Sequence, residues 1–171
     1  MIIGITSDTH GCFKSWQNIY GKYFGHTGLI IHAGDILYHG PRNGLPAGYN
    51  PSRLARALNE CPIPIVAAGG NCDAEVDSLV LDFPVQAPYA YILLNGRRVL
   101  VNHGHKLSQP ETRAIAARFK ADIFITGHTH IASLTKTGPT IYLNPGSPVP
   151  DLSKRADGKG TLAMIKNRQV A

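Results

Sequence analysis

The amino-acid sequence predicts a layered α/β domain with a mixed sheet or two packed sheets. Two patterns support this fold class: short β-rich runs alternate with helical segments in the first half of the chain, and paired β-runs dominate the second half. Length supports it too, because 171 residues, 43% of them hydrophobic, can bury a sizeable core. We therefore expect a single domain over residues 1–171.

The first half of the chain contains three β-runs and two helical patterns. The β-runs cover residues 2–6, 29–33 and 65–68. Apolar residues spaced three and four apart between residues 12 and 24 predict the first helix. Asn50 is a favourable N-cap followed by a proline at the first helical position, so we expect the second helix to run from there to about Glu60.

The second half of the chain begins with a hairpin. Two β-runs, residues 89–94 and 98–102, flank Asn95-Gly96, a pair that favours a type I′ turn. A third helix is expected around residues 110–119. Further short strands are expected at residues 123–126, 131–135, 140–143 and 161–165.

Composition and charge narrow the class of protein. No apolar run approaches the roughly 18 residues of a membrane-spanning helix. The N-terminus also lacks the basic start and long apolar stretch of a secretion signal, so we expect a cytoplasmic protein with no membrane partner. Three cysteines without a zinc-type pair argue against a disulfide framework. The net charge of +6 fits either a solvated basic surface or attraction of anionic substrates.

Five polar clusters each follow a predicted β-run. They are Asp8-Thr9-His10-Gly11, Gly34-Asp35, Gly70-Asn71-Cys72-Asp73, Asn102-His103-Gly104-His105 and Gly127-His128-Thr129-His130. Loops beyond the carboxyl ends of strands in α/β sheets converge on one crevice, so we expect these clusters to meet. The glycines beside them allow sharp turns and leave room for ligands to approach.

These clusters supply seven candidate metal ligands. They are Asp8, His10, Asp35, Asn71, His103, His128 and His130. Oxygen and imidazole donors of this kind suit Mn²⁺, Fe²⁺, Zn²⁺ or similar ions. Seven donors are too many for one tetrahedral zinc and suit two ions that share a bridging carboxylate. Two ions about 3.5–4 Å apart can activate a bridging water and hold both oxygens of an in-line displacement.

Each cluster also fits an ordinary structural role when it is considered alone. Asp8-x-His10 fits a surface or capping pair, and His103 after an apolar run fits a core histidine. Asn71 in a glycine-rich turn fits a turn residue with positive φ. The order of the five clusters and their shared position after β-runs favour a metal site over these separate structural roles.

The same residues carry a resemblance to a known family. The motifs Asp8-x-His10, Gly34-Asp35, Gly70-Asn71-x-Asp73, His103-Gly104 and Gly127-His128-x-His130 resemble those of the calcineurin-like metallophosphoesterase superfamily. Within it, the stretch His39-Gly40-Pro41-Arg42-Asn43 resembles the small YfcE-type bacterial phosphodiesterases. The resemblance covers nearly the whole chain, through Asn144-Pro145-Gly146-Ser147.

The resemblance implies a four-layer α/β/β/α sandwich with two packed mixed sheets. It also divides the ligands between two divalent metal ions, with Mn²⁺ expected and Ni²⁺, Zn²⁺, Fe²⁺ or Mg²⁺ as substitutes. Asp8, His10 and His130 would hold the first ion, Asn71, His103 and His128 the second, and Asp35 would bridge them. His10, Asn71 and His103 would also orient the phosphate and so count as catalytic.

The activity that the resemblance implies is hydrolysis of a small phosphodiester by attack of a metal-bridging hydroxide. One alternative is a nuclease or cyclic-nucleotide phosphodiesterase, although no platform of aromatic and basic residues favours nucleic acid. Another is a non-catalytic interaction module of the same fold, against which the intact ligand set argues. The apolar run at residues 89–94 leaves a homo-oligomer open.

Five residues are candidates for the substrate side of the site. They are His39, Arg42, Asn43, Cys72 and His105. Arg42 lies in the long loop of residues 37–50 and can hold phosphate oxygens bidentately. Cys72 stands where larger members of the superfamily carry a histidine thought to act as general acid. A thiol of pKa ~8.5 is a poorer proton donor near neutral pH than an imidazole, so His105 or a metal-bound water is the alternative donor, and Cys72 also fits a small packing residue.

Overall fold

The computed structural model describes residues 1–154 and 157–166, so part of the expected domain, residues 155–156 and 167–171, lies outside the described residues. The strands are β1 (Ile2–Thr6), β2 (Leu29–His32), β3 (Ile65–Ala68), β4 (Val85–Gln86), β5 (Ala90–Leu94), β6 (Arg97–Val101), β7 (Ile123–Ile125), β8 (Ser133–Thr137), β9 (Thr140–Asn144) and β10 (Ala163–Lys166). The α-helices are α1 (Phe13–Lys22), α2 (Pro51–Asn59) and α3 (Gln109–Arg118), and 3₁₀ helices cover Phe24–His26 and Glu75–Leu79.

The strands form two five-stranded mixed sheets. The first has the order β10-β1-β2-β3-β4, with β1 to β4 parallel and β10 antiparallel. The second has the order β5-β6-β7-β9-β8, with three parallel central strands and antiparallel strands at both edges. The turn between β5 and β6 has positive φ at Asn95 (47°) and Gly96 (75°), as a type I′ turn requires.

Side-chain alternation along the strands divides the apolar core into three clusters. Ile31 points between the two sheets and packs with Val101 and Ile125 of the second sheet. The neighbouring residue Ile30 points the other way, under α1 and α2. On the far side, α3 packs against Phe124 of β7 in a third cluster. The layers are therefore helix, sheet, sheet and helix, which confirms the expected four-layer sandwich with two mixed sheets.

Helix starts follow the expected capping chemistry. The Asn50 side chain accepts a hydrogen bond from the backbone N–H of Arg53 at 3.0 Å, so α2 begins where the sequence predicts. Helix α3 begins at Gln109, one residue earlier than expected, because Ser108 and Glu111 form a reciprocal capping box. No helix within the described segments is long and apolar enough to cross a membrane.

Three features of the sheets differ from the expectation. The two-residue strand β4 was not predicted, because a run that short carries no periodicity. Strand β8 begins at Ser133, because the backbone N–H of Ile131 donates to the Thr129 hydroxyl at 3.2 Å and keeps that segment in a loop. Strand β10 begins at Ala163, because Thr161 is tied to the carbonyl of Ser147 at 2.6 Å.

Two leucines of the second sheet test how far burial determines stability. Leu100 on β6 is fully buried under α3, whereas Leu134 on β8 is 69% exposed. We expect Leu100→Ala to lower the free energy of unfolding by about 2–5 kcal/mol. The matched variant Leu134→Ala should change it by less than about 0.5 kcal/mol. Urea unfolding followed by circular dichroism measures both, and equal losses would contradict the layer assignment.

Candidate metal centre

The loops that follow β1 and β2 run side by side and bring the first predicted clusters together. The backbone N–H of Asp8 donates to the carbonyl of Gly34 at 2.9 Å, and that of His10 donates to the carbonyl of Asp35 at 3.0 Å. The second sheet joins them, because the backbone N–H of His128 donates to Asp8 Oδ2 at 3.0 Å. The polar clusters of both sheets therefore meet at one end of the sandwich.

The backbone at this end is held in an unusual conformation. Seven non-glycine residues of the described segments have positive φ, and five of them belong to the predicted ligand set. Those five are Asp8 (55°), His10 (44°), Asp35 (58°), His128 (68°) and His130 (59°). The left-handed region is uncommon for residues with a Cβ and costs of the order of 1 kcal/mol or more each. Such strain concentrates at functional sites, where the surrounding structure holds it in place.

Two glycines let the loops approach closely enough for the carboxylates to face inward. A Cβ on Gly70 would overlap the side-chain carboxylate of Asp35. A Cβ on Gly127 would overlap the Ser7 hydroxyl and lie only 2.8 Å from Asp8 Oδ2. Glycine is therefore needed at both positions for steric reasons, and not for turn geometry.

Three of the predicted histidine ligands are oriented by backbone carbonyls. The Nδ1 atoms of His10, His103 and His130 lie 2.9, 2.8 and 3.0 Å from the carbonyl oxygens of Tyr38, Ala33 and Leu152. A carbonyl only accepts, so each Nδ1 carries the proton and donates. In the neutral ring Nε2 then has no proton and carries a lone pair. This is the arrangement in which proteins present histidine to a metal ion.

The lone pairs of these rings converge on one another and on two carboxylates. His10 Nε2 lies 3.1 Å from His130 Nε2, and His130 Nε2 lies 3.3 Å from Asp8 Oδ1. Asp35 Oδ2 lies 3.3 Å from His103 Nε2 and 3.7 Å from His10 Nε2. Asp8 Oδ1 and His103 Nε2 are buried without a hydrogen-bond partner. Such buried acceptors repel one another unless a cation lies among them.

The converging atoms form overlapping groups that could each hold a metal ion. Asp8, His10 and His130 make one group, and Asp8, Asp35 and His103 make another, with ligand atoms within 4.8 Å of one another in each. A third group of the same kind joins His10 and Asp35 to Cys72. Asp35 faces the first two groups through Oδ2, while its Oδ1 accepts a hydrogen bond from the backbone N–H of Cys72 at 2.8 Å. The donor set therefore fits divalent ions that prefer oxygen and imidazole ligands.

Charge within the cluster is balanced between His103 and the carboxylates. Burial opposes protonation of the His103 ring, but Asp35 and Asp8 raise its pKa to about 9. Burial likewise opposes ionisation of Asp35, yet the 3.3 Å contact with His103 Nε2 and the charge of that ring hold the pKa of the Asp35 carboxyl well below its usual range. A proton on His103 Nε2 thus occupies the place that a cation would take, and metal binding would release it.

His32 provides a useful contrast within the same layer. Its Nδ1 accepts from the backbone N–H of Gly34 at 3.2 Å, and its Nε2 faces the Thr9 hydroxyl at 3.0 Å. That hydroxyl in turn donates to the carbonyl of Ile36 at 2.9 Å, so both ring nitrogens of His32 are satisfied. Burial lowers the pKa of His32 to about 4 and keeps the ring neutral. His32 is therefore a structural histidine, unlike His10 and its neighbours.

The two remaining predicted ligands lie at the edge of the cluster. The His128 ring is half-buried, with its centroid 5.3 Å from that of His103. Asn71 is exposed and its Nδ2 lies 3.3 Å from Cys72 Sγ. Asn71 is not among the residues with positive φ, so turn conformation does not explain its presence. Both side chains line the cavity that opens from the cluster.

That cavity, which we call the central cavity, separates the predicted substrate residues into two sets. It has a volume of about 1080 Å³, and Arg42, Asn43 and Cys72 line it, as does Lys154. His39 is not among the lining residues, because its ring packs between Tyr38 and Tyr49 with centroids 4.6 and 5.4 Å away. His105 lies behind His103, at a centroid distance of 5.5 Å, and lines a different cavity beside Asn102 and Lys106.

Asp73 has a role that sequence reasoning missed. Its Oδ2 accepts from the backbone N–H groups of Asp35 at 2.8 Å and Gly70 at 2.7 Å, and its Oδ1 accepts from that of Ile36 at 2.7 Å. The carboxylate therefore joins the loops after β2 and β3 and fixes the position of the Asp35 side chain. Its place in the Gly-Asn-Cys-Asp motif was the one sequence signal that marked it.

Comparison with known proteins identifies the superfamily of this chain. Residues 1–168 match the calcineurin-like phosphoesterase superfamily domain. The chain therefore belongs to the calcineurin-like phosphoesterase superfamily.

Individual proteins of known sequence or structure show which members of the superfamily this chain is similar to. The chain is similar to Phosphodiesterase YfcE of Escherichia coli strain K12, with 38% identity over 149 residues that cover 86% of this chain and 79% of that protein. The solved structure of YfcE, described as a phosphoesterase from E. coli, superposes with a TM-score of 0.82 at 30% identity and covers 98% of this chain and 89% of its own. Vps29 from Entamoeba histolytica, solved with Zn²⁺, shares the fold with a TM-score of 0.67 at 17% identity and covers 99% of this chain and 88% of its own.

Asp73→Asn tests whether the Asp73 carboxylate joins the loops that follow β2 and β3. The new amide nitrogen would face a backbone N–H donor in a site that now supplies three hydrogen bonds, so we expect a loss of at least about 2 kcal/mol in the free energy of unfolding. Urea unfolding measures this loss. Asp151→Asn is the matched control, because Asp151 accepts a single exposed hydrogen bond from Ala47, and it should lose much less. Similar losses in both variants would argue against this role of the Asp73 carboxylate.

Removal and return of the metal ion tests whether the buried acceptors form a metal site. Protein stripped with a chelator should melt at a lower temperature than protein with Mn²⁺, because the ion binds only the folded cluster. At a concentration a hundred times its Kd the gain is about 2.7 kcal/mol. Asp35→Asn should reduce the shift in Tm. Asp122→Asn, a carboxylate paired with Arg97 and Arg98 away from the cluster, should retain it. An unchanged shift in Asp35→Asn would contradict the assigned site.

Proposed function

We propose that this protein is a divalent-metal-dependent phosphodiesterase that uses two ions, with Mn²⁺ as the expected metal. The observation that carries the proposal is that the Nε2 atoms of three buried histidines converge on two carboxylates. The histidines are His10, His103 and His130, and the carboxylates are those of Asp8 and Asp35. Membership of the phosphoesterase superfamily and the similarity to Phosphodiesterase YfcE support the reaction class.

The chemistry of the bound ions follows general principles. The residues that would hold the two ions are Asp8, His10, Asp35, Asn71, His103, His128 and His130. When bound, the ions would activate a water for attack on phosphorus and neutralise the charge that develops on the phosphoryl oxygens. Water adds to phosphorus as the bond to the ester oxygen breaks. The oxygen of the water stays on the phosphate, one of its protons ends on the leaving ester oxygen and the other passes to solvent, so the products are a phosphomonoester and an alcohol.

The residues of this chain contribute position and charge. Asp35 faces both ligand groups and orients them relative to each other, and Asp73 holds the backbone of Asp35 in place. His10 and Asn71 line the central cavity and would orient a phosphate there, whereas His103 is fully buried and would act through the ion that it holds. Arg42 lines the same cavity and can bind phosphate oxygens bidentately. These groups align the ester for an in-line displacement.

Proton donation to the leaving alcohol is the weak step of this site. Burial, together with the carboxylates of Asp35 and Asp73, raises the pKa of the Cys72 thiol to about 12. That thiol is neutral near pH 7 and a very poor acid. His105 lines the neighbouring cavity, and its ring centroid lies 6.2 Å from that of His128 at the edge of the central cavity. Esters of acidic alcohols, which leave without protonation, should therefore react best.

The test of the proposal is hydrolysis of bis(4-nitrophenyl) phosphate by the stripped protein after addition of Mn²⁺, Ni²⁺, Zn²⁺ or Mg²⁺. We expect activity that depends on the metal and falls to background in Asp35→Asn, because that carboxylate faces both ligand groups. Asp122→Asn is the control and should keep its activity. Near-normal activity of Asp35→Asn with Mn²⁺ would overturn the two-metal assignment, and strong competition by single-stranded DNA would favour a nuclease.

Cys72→His tests the missing acid. An imidazole at this position can protonate an alkoxide near neutral pH, so the variant should raise kcat for alkyl esters with basic leaving groups and leave 4-nitrophenyl esters almost unchanged. Cys72→Ser is the control for size, and it should help neither class. An equal change for both classes would show that Cys72 acts only through packing against Gly40, whose added Cβ would lie 2.9 Å from Cys72 Sγ.

A further inference from the structure

A second cavity lies beside the central cavity. It has a volume of about 890 Å³, and we call it the apolar groove. Tyr38, Cys72 and Ala74 line both cavities, so the two are adjacent at the point where the substrate loop meets the motif after β3. A group attached to a phosphate in the central cavity can therefore reach the groove past these three residues.

The groove is built as a preformed site. One face of α2 lines it, with Ser52, Ala55 and Asn59 at helical spacing. The Asn59 side chain holds the opposite wall, since its Nδ2 donates to the carbonyl of Val80 at 2.8 Å and its Oδ1 accepts from the backbone N–H of Asp82 at 3.0 Å. No ordering of these walls is needed when a ligand enters, which favours binding.

Apolar side chains on the 3₁₀ helix Glu75–Leu79 and just beyond it border the groove and are left uncovered. Val76 is 59% exposed and Val80 is 47% exposed, and both line the groove. Tyr38 is 44% exposed at the junction with the central cavity. Apolar surface that stays exposed in a concave site is typical of a ligand pocket.

The charges at the edge of the groove restrict what can occupy it. Three carboxylates line it, those of Glu60, Asp77 and Asp82, against one guanidinium, that of Arg56. This balance disfavours a further phosphate or a nucleic acid strand and allows an uncharged organic group. The central cavity, by contrast, has Arg42 and Lys154 in its wall and can take the anion.

We propose that the apolar groove binds a bulky, uncharged alkyl or aryl ester group of the phosphodiester substrate, while the phosphate lies in the central cavity. This rests on the proposed function, and it assigns the groove as the subsite that selects the substrate. The groove thus explains an apolar surface that the metal centre does not require.

Competitive inhibition by phosphonates with Mn²⁺ tests the subsite, because a phosphonate carries one organic group and no leaving group. Hexylphosphonate should inhibit hydrolysis of bis(4-nitrophenyl) phosphate at least about tenfold more tightly than methylphosphonate, since the longer chain buries apolar surface in the groove. Val76→Asp should remove this preference and leave inhibition by methylphosphonate unchanged. Val76→Leu should keep it.

Leu79→Asp is the matched control, because Leu79 lies on the same 3₁₀ helix, is 82% exposed and does not line the groove. It introduces the same charge and should keep the preference for hexylphosphonate. Equal inhibition by the two phosphonates in the wild type would overturn the subsite, and so would an unchanged preference in Val76→Asp or an equal loss in Leu79→Asp.

Two further outcomes distinguish failure of the subsite from failure of the proposed function. A dimer that dissociates in Val76→Asp during size-exclusion chromatography would show that a second copy of the chain covers the groove, and it would overturn the subsite. Absence of any metal-dependent hydrolysis would overturn the proposed function instead. Hydrolysis that methylphosphonate inhibits, without a preference for the hexyl group, would leave the function standing and overturn only the subsite.

Discussion

The meeting of buried acceptors at the strand ends is the constraint on which the rest of this structure depends. His10 Nε2 and His130 Nε2 lie 3.1 Å apart with their Nδ1 protons directed to backbone carbonyls, so two neutral rings cannot form a hydrogen bond there. Asp8 Oδ1 adds a negative charge to the same point. An arrangement of this kind opposes folding unless a cation neutralises it, and either a proton on His103 or a metal ion can supply that charge.

The backbone around the cluster shows how the fold maintains this arrangement. Asp8, Asp35 and His128 have left-handed φ two or three residues after β1, β2 and β7 end, where the chain turns at the edge of each sheet. Gly70 and Gly127 lack side chains, so the two carboxylates can approach. The apolar contact between the sheets supplies the stability that offsets this local strain, because its burial does not depend on the metal.

Sequence reasoning could predict the parts of this protein that are local or shared by many chains. Regular periodicity and capping residues indicated α2 and the hairpin at Asn95-Gly96, and the order of polar clusters indicated the ligands that the structure brings together. Asp73 could not be assigned its role, because its three hydrogen bonds depend on how two loops pack in space. Strand β4 and the exclusion of His39 from the cavity wall likewise depend on tertiary packing.

The candidate metal ligands and the residues that would contact the substrate come from different parts of the fold. The candidate metal ligands lie on the turns that follow the strands, and hydrogen bonds from backbone N–H groups join these turns within and between the two sheets. The walls that would contact the organic part of a substrate come instead from the loop of residues 37–50, one face of α2 and the 3₁₀ helix Glu75–Leu79. Exposed side chains such as Val76 carry no share of the core and can vary freely. The candidate metal site therefore lies at the strand ends, whereas the walls that we propose to select the substrate lie on the segments that border the two cavities.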